Sequence, residues 1–309
     1  MAFLGIDLGG TKLAAMMFSD EGDVVAREWC ALNETGGETV GSQISGMIRM
    51  FAGRVASIGI CVPGIYRQAA GTVWAPNIRS WDDYPLLAVA KAAAGPVPVA
   101  IDSDRACYIL GERWKGNAQN CNDAIFIAVG TGIGAGIISG GRVVRGANDI
   151  AGAVGWMALE RPYTDAYDNC GCFESQASGD GIAKLARKLT HDTPKYSGKL
   201  GSIGPEALTS RDVFAAFEER DEIAERTISQ SVEFWGMAAA NLVSIFNPEK
   251  IIFGGGVFGP AVGLIPEIRE EAEKWAQPIA MRGVTFEPSA LGVDAGLYGA
   301  VLIARENSS

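Results

Sequence analysis

One order of elements occurs twice along the chain, and that repeat narrows the fold more than any single motif does. Apolar runs at 3–6, 13–18 and 24–29, with the turn Asp20-Glu-Gly22 between the second and third, predict a β-meander. A helical pattern follows at 38–54, then buried strands at 57–62 and 97–101, then a helix from Asp104 through Trp114. The second copy predicts strands at 123–129, 134–139 and 142–144, helices at 178–190 and 210–246, and a strand at 250–253. Such alternation predicts an α/β protein built from two similar lobes. No low-complexity linker separates them. The expected boundaries are 1–114 for an N-terminal lobe, on which 295–309 packs back with a helix at 295–304, and 115–294 for a C-terminal lobe.

The turns inside the repeat carry the chemistry. The first meander holds Asp7-Leu-Gly-Gly-Thr-Lys12, and the second holds Val129-Gly-Thr-Gly-Ile-Gly134 at the corresponding place. A third cluster, Gly254-Gly-Gly256, follows the strand ending at Phe253. Glycine lets a backbone approach a phosphate, while amide N–H groups and a threonine hydroxyl donate to its oxygens. Ligands of open α/β sheets sit beyond the carboxyl ends of such strands. One glycine pair is most often only a turn; three clusters in this order point to a phosphate-bearing ligand. Neither the Walker pattern nor a dinucleotide-type G-x-G-x-x-G is expected in the chain, which weakens the P-loop and dinucleotide-binding alternatives.

Composition excludes other classes. With 26 basic against 36 acidic residues the formal charge is −10, and no basic tract is present, so a nucleic-acid surface is not expected. The tryptophans 29, 74, 81, 114, 235 and 275 therefore read as core or lobe-interface aromatics. No apolar run approaches the roughly 20 residues that span a bilayer, and no signal-like start is present, so no membrane contact and a cytoplasmic location are expected. The six cysteines are scattered and read as reduced core residues.

At this point the chain resembles the ROK group (repressor, open reading frame, kinase) of actin-like sugar kinases. The three glycine loops look like its phosphate and adenosine loops. Further matches are Val62-Pro-Gly64, Ala75-Pro-Asn77 with Trp81, Asp104 with Leu110-Gly-Glu112, Gly171-Cys-Phe-Glu174, Phe246-Asn-Pro248 and Ala295-Gly-Leu-Tyr-Gly-Ala300, spanning nearly the whole chain. The resemblance implies two ribonuclease-H-like (actin-like ATPase) lobes with an interlobe cleft, and phosphorylation of a sugar hydroxyl by ATP with Mg²⁺. It implies Asp104 as general base and Asp7 as a Mg²⁺ holder acting through water. By the same resemblance Gly64, Asn77, Ser103, Asp104 and Glu174 bind the acceptor sugar. Asp7, Gly9, Gly10, Thr11, Lys12, Gly130, Thr131, Gly132, Gly254, Gly255 and Gly256 serve the nucleotide. Dimers are common in the family, so a homodimer is left open.

The chain departs from the family pattern where that pattern has Gly-Glu-X-Gly-His, whose Glu and His touch the sugar and whose His also ligates zinc. Here the stretch is Gly152-Ala-Val-Gly-Trp156. Where two zinc cysteines are usual, Asp165 and Tyr167 stand, and the single histidine, His191, lies in the polar run Thr190-His-Asp-Thr-Pro194. No zinc site is expected, Cys170 and Cys172 are expected as free thiols, and Trp156 is expected to fill by packing the volume that metal coordination holds elsewhere. Losing two hydrogen-bond partners loosens the claim on a plain hexose, and three readings stay open. They are a hexose kinase, a kinase of a modified sugar such as an amino sugar or cyclitol, and a non-catalytic sugar or nucleotide sensor. Repressors of the family carry an added N-terminal DNA-binding segment; with the phosphate loop beginning at residue 7 none is expected here, which weakens the regulator reading.

Overall fold

Where alternation predicted strands, backbone hydrogen bonds close two five-stranded sheets with the same plan. The computed structural model describes residues 1–32 and 36–308; the last residue of the expected 295–309 segment lies outside them. In chain order the elements begin β1 (Ala2–Leu8), β2 (Lys12–Ser19), β3 (Val24–Ala31), α1 (Gly37–Phe51), β4 (Ser57–Val62), β5 (Ile65–Arg67), β6 (Thr72–Trp74), α2 (Leu86–Ala94), β7 (Val99–Ser103) and α3 (Asp104–Lys115). Then come β8 (Ala124–Val129), β9 (Ile133–Ser139), β10 (Arg142–Val143), α4 (Cys172–Ala177), α5 (Gly179–His191), α6 (Ser210–Glu218), α7 (Glu222–Phe246), β11 (Lys250–Gly254), α8 (Ile265–Trp275), α9 (Pro278–Gly283), β12 (Thr285–Pro288) and α10 (Ala295–Glu306). The sheets run β3-β2-β1-β4-β7 and β10-β9-β8-β11-β12. In each, the first strand pairs antiparallel with the next and parallel with a later one, the plan of a ribonuclease-H-like lobe.

By compactness the chain divides into unit 1, Met1–Asn120 with Val143–Ala151 and Ala290–Ser309, and unit 2, Cys121–Arg142 with Gly152–Ser289. The sequence segmentation differs from this at 115–120, 290–294 and 143–151, the last of which carries an ion pair to the rest of unit 1 described below.

Unit 1 buries Leu4, Ile6, Leu13, Ile58 and Ile60 against Ile44, Ile48, Phe51 and Leu86 from α1 and α2. The other side of its sheet receives α10, where Leu297 and Val301 meet Phe3, Met16 and Phe18. That seat depends on glycine: a Cβ at Gly59 would lie 1.7 Å from the Ala300 carbonyl oxygen. In unit 2 the expected helix over 210–246 is two helices. Arg220 takes φ 63°, and the Asp221 carboxylate caps α7 by accepting the amides of Ile223 and Ala224, each at 3.0 Å. The side-chain cap repays the break in the helical run.

Some aromatic expectations change. Trp81 and Trp235 are fully buried, with indole N–H groups donating to the carbonyls of Gly37 and Ala177. Trp29 and Trp275 are not core residues: they are 67% and 63% exposed. Trp29 lies on the edge strand β3, and Trp275 ends α8 with its N–H on Glu271. Residues 254–259 do carry the G-x-G-x-x-G spacing, but β11 leads into short 3-10 turns instead of the helix of a dinucleotide unit.

Candidate active site

In unit 1 the carboxyl ends of three adjacent strands bring acids into register: Asp7 of β1 pairs with Cys61 of β4, and Cys61 with Asp102 of β7. Two residues on, Asp104 opens α3. Burial pushes the Asp104 carboxyl up to about 6, although the Arg105 charge and the Arg105 amide, donating at 2.8 Å, pull the other way. Asp7 is likewise pushed up to about 6 by burial, opposed by the Cys61 thiol and the Lys12 charge. The Asp7 charge raises the Asp104 carboxyl further, and the Asp294 charge does the same to Asp7. A Cβ at Gly296, in the first turn of α10, would stand 3.0 Å from the Asp7 carboxyl carbon, so that helix start abuts the acid.

Around Asp104 the expected acceptor residues take different settings. Ser103 is the N-cap of α3 yet makes no side-chain cap, so its hydroxyl is not spent on the helix. Asn77 is exposed in the turn after Pro76. Gly64 has φ 84°, and a Cβ there would lie 2.1 Å from the Trp74 carbonyl oxygen, so only glycine fits. Its own carbonyl accepts from Arg105 at 3.3 Å, and the Ile150 carbonyl from the same guanidinium at 3.4 Å. Gly9 closes its turn onto the Lys12 carbonyl at 2.9 Å, leaving Gly10, Thr11 and Lys12 exposed.

Sequence reasoning missed Arg145. Its guanidinium meets Asp102 at 2.6 Å, and Asp102 is buried. The signal was available: an apolar strand ending Ile101-Asp-Ser-Asp104 buries its first acid, and a buried carboxylate needs a cationic partner.

Unit 2 brings together the other glycine loops. Gly130 donates to the Gly132 carbonyl at 2.9 Å and accepts from Gly179, the first residue of α5, at 2.7 Å, with Thr131 exposed between. Gly254 fits only beneath the Phe126 ring, where a Cβ would meet it at 2.3 Å. Gly255 has φ 89° and packs on the Val129 carbonyl, and Gly255 and Gly256 are exposed. Glu174, on α4, reaches this loop directly: its Oε2 accepts the Ile133 amide at 2.6 Å, and burial raises its carboxyl.

The residues fit a hydrated divalent cation and a nucleotide. Mg²⁺ usually takes one or two carboxylates and keeps its waters, and Asp7 with a second acid nearby is that donor set. Uncovered amides in the glycine loops fit phosphate oxygens. Among the described residues no three His, Cys, Asp or Glu side chains form a metal-holding group, and none of the six cysteines is in a disulfide. Trp156 departs from expectation. It does not fill a zinc volume by packing but stands 57% exposed. No helix among the described residues is long and apolar enough to cross a membrane.

Comparison with known proteins adds to this geometry. The ROK family profile matches residues 3–307. A glucokinase of Halalkalibacterium halodurans is 30% identical, over 99% of this chain and 96% of its own length. Among solved structures, a ROK family glucokinase from Streptomyces griseus in complex with glucose and AMPPNP is 27% identical, with a TM-score of 0.81 over 99% of this chain and 100% of that one. A ROK hexokinase from Thermus thermophilus is 29% identical, with a TM-score of 0.79 over 99% and 98%.

Proposed function

This chain belongs to the ROK family and is an ATP-dependent sugar kinase, and from that premise we propose that it phosphorylates a hydroxyl of a hexose or related sugar with Asp104 as general base. The observation that carries this reading is Asp104 itself, a partly buried carboxyl at the start of α3, pushed up to about 6. A base is most useful when its pKa lies near the working pH. In the step, the acceptor oxygen attacks the γ-phosphorus and its proton passes to the Asp104 carboxylate. The bond from phosphorus to the β,γ-bridging oxygen breaks, and ADP leaves.

The same proposal gives roles to the other residues. The hydroxyl of Ser103, the amide of Asn77 and the carboxylate of Glu174 orient the acceptor, and Gly64 shapes its turn. The loops Gly9–Lys12, Gly130–Gly132 and Gly254–Gly256 donate to the nucleotide. Asp7 would hold hydrated Mg²⁺, which when bound offsets negative charge on the phosphates. The reading also places the protein in the cytoplasm, where its nucleotide is supplied. An acceptor with a substituted ring is the favoured variant of this reading, because Ala153 and the exposed Trp156 offer no carboxylate or imidazole to ring hydroxyls.

ADP release with Mg-ATP against hexoses, amino sugars and cyclitols tests the proposal, with Asp104→Asn alongside. Turnover on one acceptor should fall about 10²–10⁴-fold in the variant while nucleotide binding persists. An Asp104→Asn protein that keeps its rate removes Asp104 from the role.

A further inference from the structure

We propose that Tyr167 is a positioning residue: its phenol centres a hydrogen-bond network that fastens residues 157–171 to α4 in the place of the family's zinc, and through α4 it seats the loop Gly130–Gly132. That this loop serves a nucleotide rests on the kinase reading above; the network itself does not.

Between the 3-10 turn Val154–Trp156 and α4, residues 157–171 are loop apart from the 3-10 turn Asp165–Tyr167. A stretch of that length without regular structure needs ties to the body of the fold. Structural zinc is closed by cysteine and histidine, less often by carboxylate. Where two zinc cysteines are usual stand the exposed Asp165 and the buried Tyr167, and Trp156 stands in the place of the histidine, so the donor set does not fit zinc.

Hydrogen bonds supply the ties instead. The Tyr167 hydroxyl donates to Glu160 Oε2 at 3.0 Å and accepts from Gln176 Nε2 at 3.1 Å. Gln176 Nε2 also donates to the same Glu160 oxygen at 2.7 Å, so the three side chains close a ring. Gln230 of α7 donates to Gln176 Oε1 at 3.3 Å and ties the ring to that helix. Burial pushes the Tyr167 phenol up, opposed by the Gln176 donor and aided by Glu160, so it keeps the proton that it donates. Backbone bonds fasten the same stretch, from the Gly171 amide to the Tyr167 carbonyl at 2.9 Å and from the Phe173 amide to the Met157 carbonyl at 3.3 Å.

Helix α4 carries the effect onward. Gln176 follows Glu174 by two residues on it. Glu174 Oε2 accepts the Ile133 amide at 2.6 Å, and a Cβ at Gly132 would lie 2.8 Å from the same oxygen. Just beyond α4 the Gly179 amide donates to the Gly130 carbonyl at 2.7 Å. Both ends of the Gly130–Gly132 loop therefore hang on α4 and the start of α5. A helix of six residues has too few bonds of its own to hold its place. The carboxyl end of α4 is held by Gln176 in the ring and by the Ala177 carbonyl, which accepts from Trp235 at 3.0 Å.

Thermal unfolding and amide hydrogen exchange of the nucleotide-free full chain test this in the wild type, Tyr167→Phe, Glu160→Ala and Glu160→Gln. Tyr167→Phe should lower the midpoint by roughly 2–6 °C and speed exchange at the Ile133 amide about tenfold relative to the amides of α8. Glu160 is exposed, so Glu160→Ala opens the ring without emptying the core and should act in the same direction. Glu160→Gln keeps an acceptor oxygen and should recover most of the loss. Zinc and a chelator should each leave the wild-type midpoint where it is. A midpoint raised by zinc or lowered by the chelator overturns the replacement of the metal. Exchange at Ile133 that moves no more than that of α8 in both Tyr167→Phe and Glu160→Ala overturns the positioning role, whatever the midpoint does. In the same two variants KM for ATP should rise about threefold with little change in kcat. Faster exchange at Ile133 with KM for ATP unmoved keeps the network and sinks the nucleotide role of Gly130–Gly132.

Discussion

Asp7 and Asp104 carry carboxyls held near 6 because burial strips water from the anion faster than nearby donors replace it. A folded-state value above the ordinary 3.8 means that the folded protein favours the protonated form. The associated stability is fully present below 3.8 and is lost as pH rises through about 6. Asp104→Asn should therefore stabilise the metal-free protein at pH 8 by about 1–3 kcal/mol, with the gain vanishing towards pH 4. Urea unfolding at the two pH values measures it; an equal shift at both would mean that the effect is not charge burial. The same value sets the rate, and kcat/KM should fall tenfold per unit as pH drops below about 6, when the base is protonated. At Asp102 burial likewise raises the carboxyl, and the ion pair with Arg145 opposes that shift. Arg145→Met would strand a buried carboxylate and cost about 3–5 kcal/mol, while adding Asp102→Asn should recover part of the loss.

At the scale of elements, the meanders and the helix at Asp104 were legible because their apolar period is local. Contacts between distant residues were not. Nothing local in Gly171-Cys-Phe-Glu174 tells that its carboxylate receives the amide of Ile133, 41 residues earlier in the chain. The break between α6 and α7 was hidden for another reason: Glu218-Glu-Arg-Asp-Glu222 contains no glycine or proline, so the helical period ran on while Arg220 turned left-handed and Asp221 capped the new helix. Short, exposed β12 carries little apolar signal and went unread. The docking of α10 was legible as a helix but not as a fit. A methyl at Gly59 cannot share space with the Ala300 carbonyl, so Gly59→Ala should cost about 1–3 kcal/mol by forcing α10 or β4 to shift. A thermal midpoint unchanged by that substitution would show that the helix has slack to move.

For the whole molecule, the repeated strand order explains why two glycine turns at like places in the two sheets both read as phosphate loops. It also separates two things that one activity assay merges, holding the nucleotide and reacting it. A ligand that binds only the folded chain stabilises it by about 2.7 kcal/mol at a hundred times its Kd. If the glycine loops bind ATP and Asp104 acts only in the chemical step, Mg-ATP should stabilise wild type and Asp104→Asn alike. If Asp7 holds the hydrated cation, Asp7→Asn should gain from ATP about equally with and without Mg²⁺, whereas the wild type gains more with it. Denaturant midpoints for the three proteins, each with ATP in excess Mg²⁺ and in chelator, give the comparison. Loss of the ATP increment in Asp104→Asn would mean that this acid helps to hold the nucleotide, so its kinetic defect could no longer be assigned to proton transfer alone. A wild-type increment indifferent to Mg²⁺ would remove Asp7 from the metal role and leave it as the buried acid that β1 presents to the start of α10.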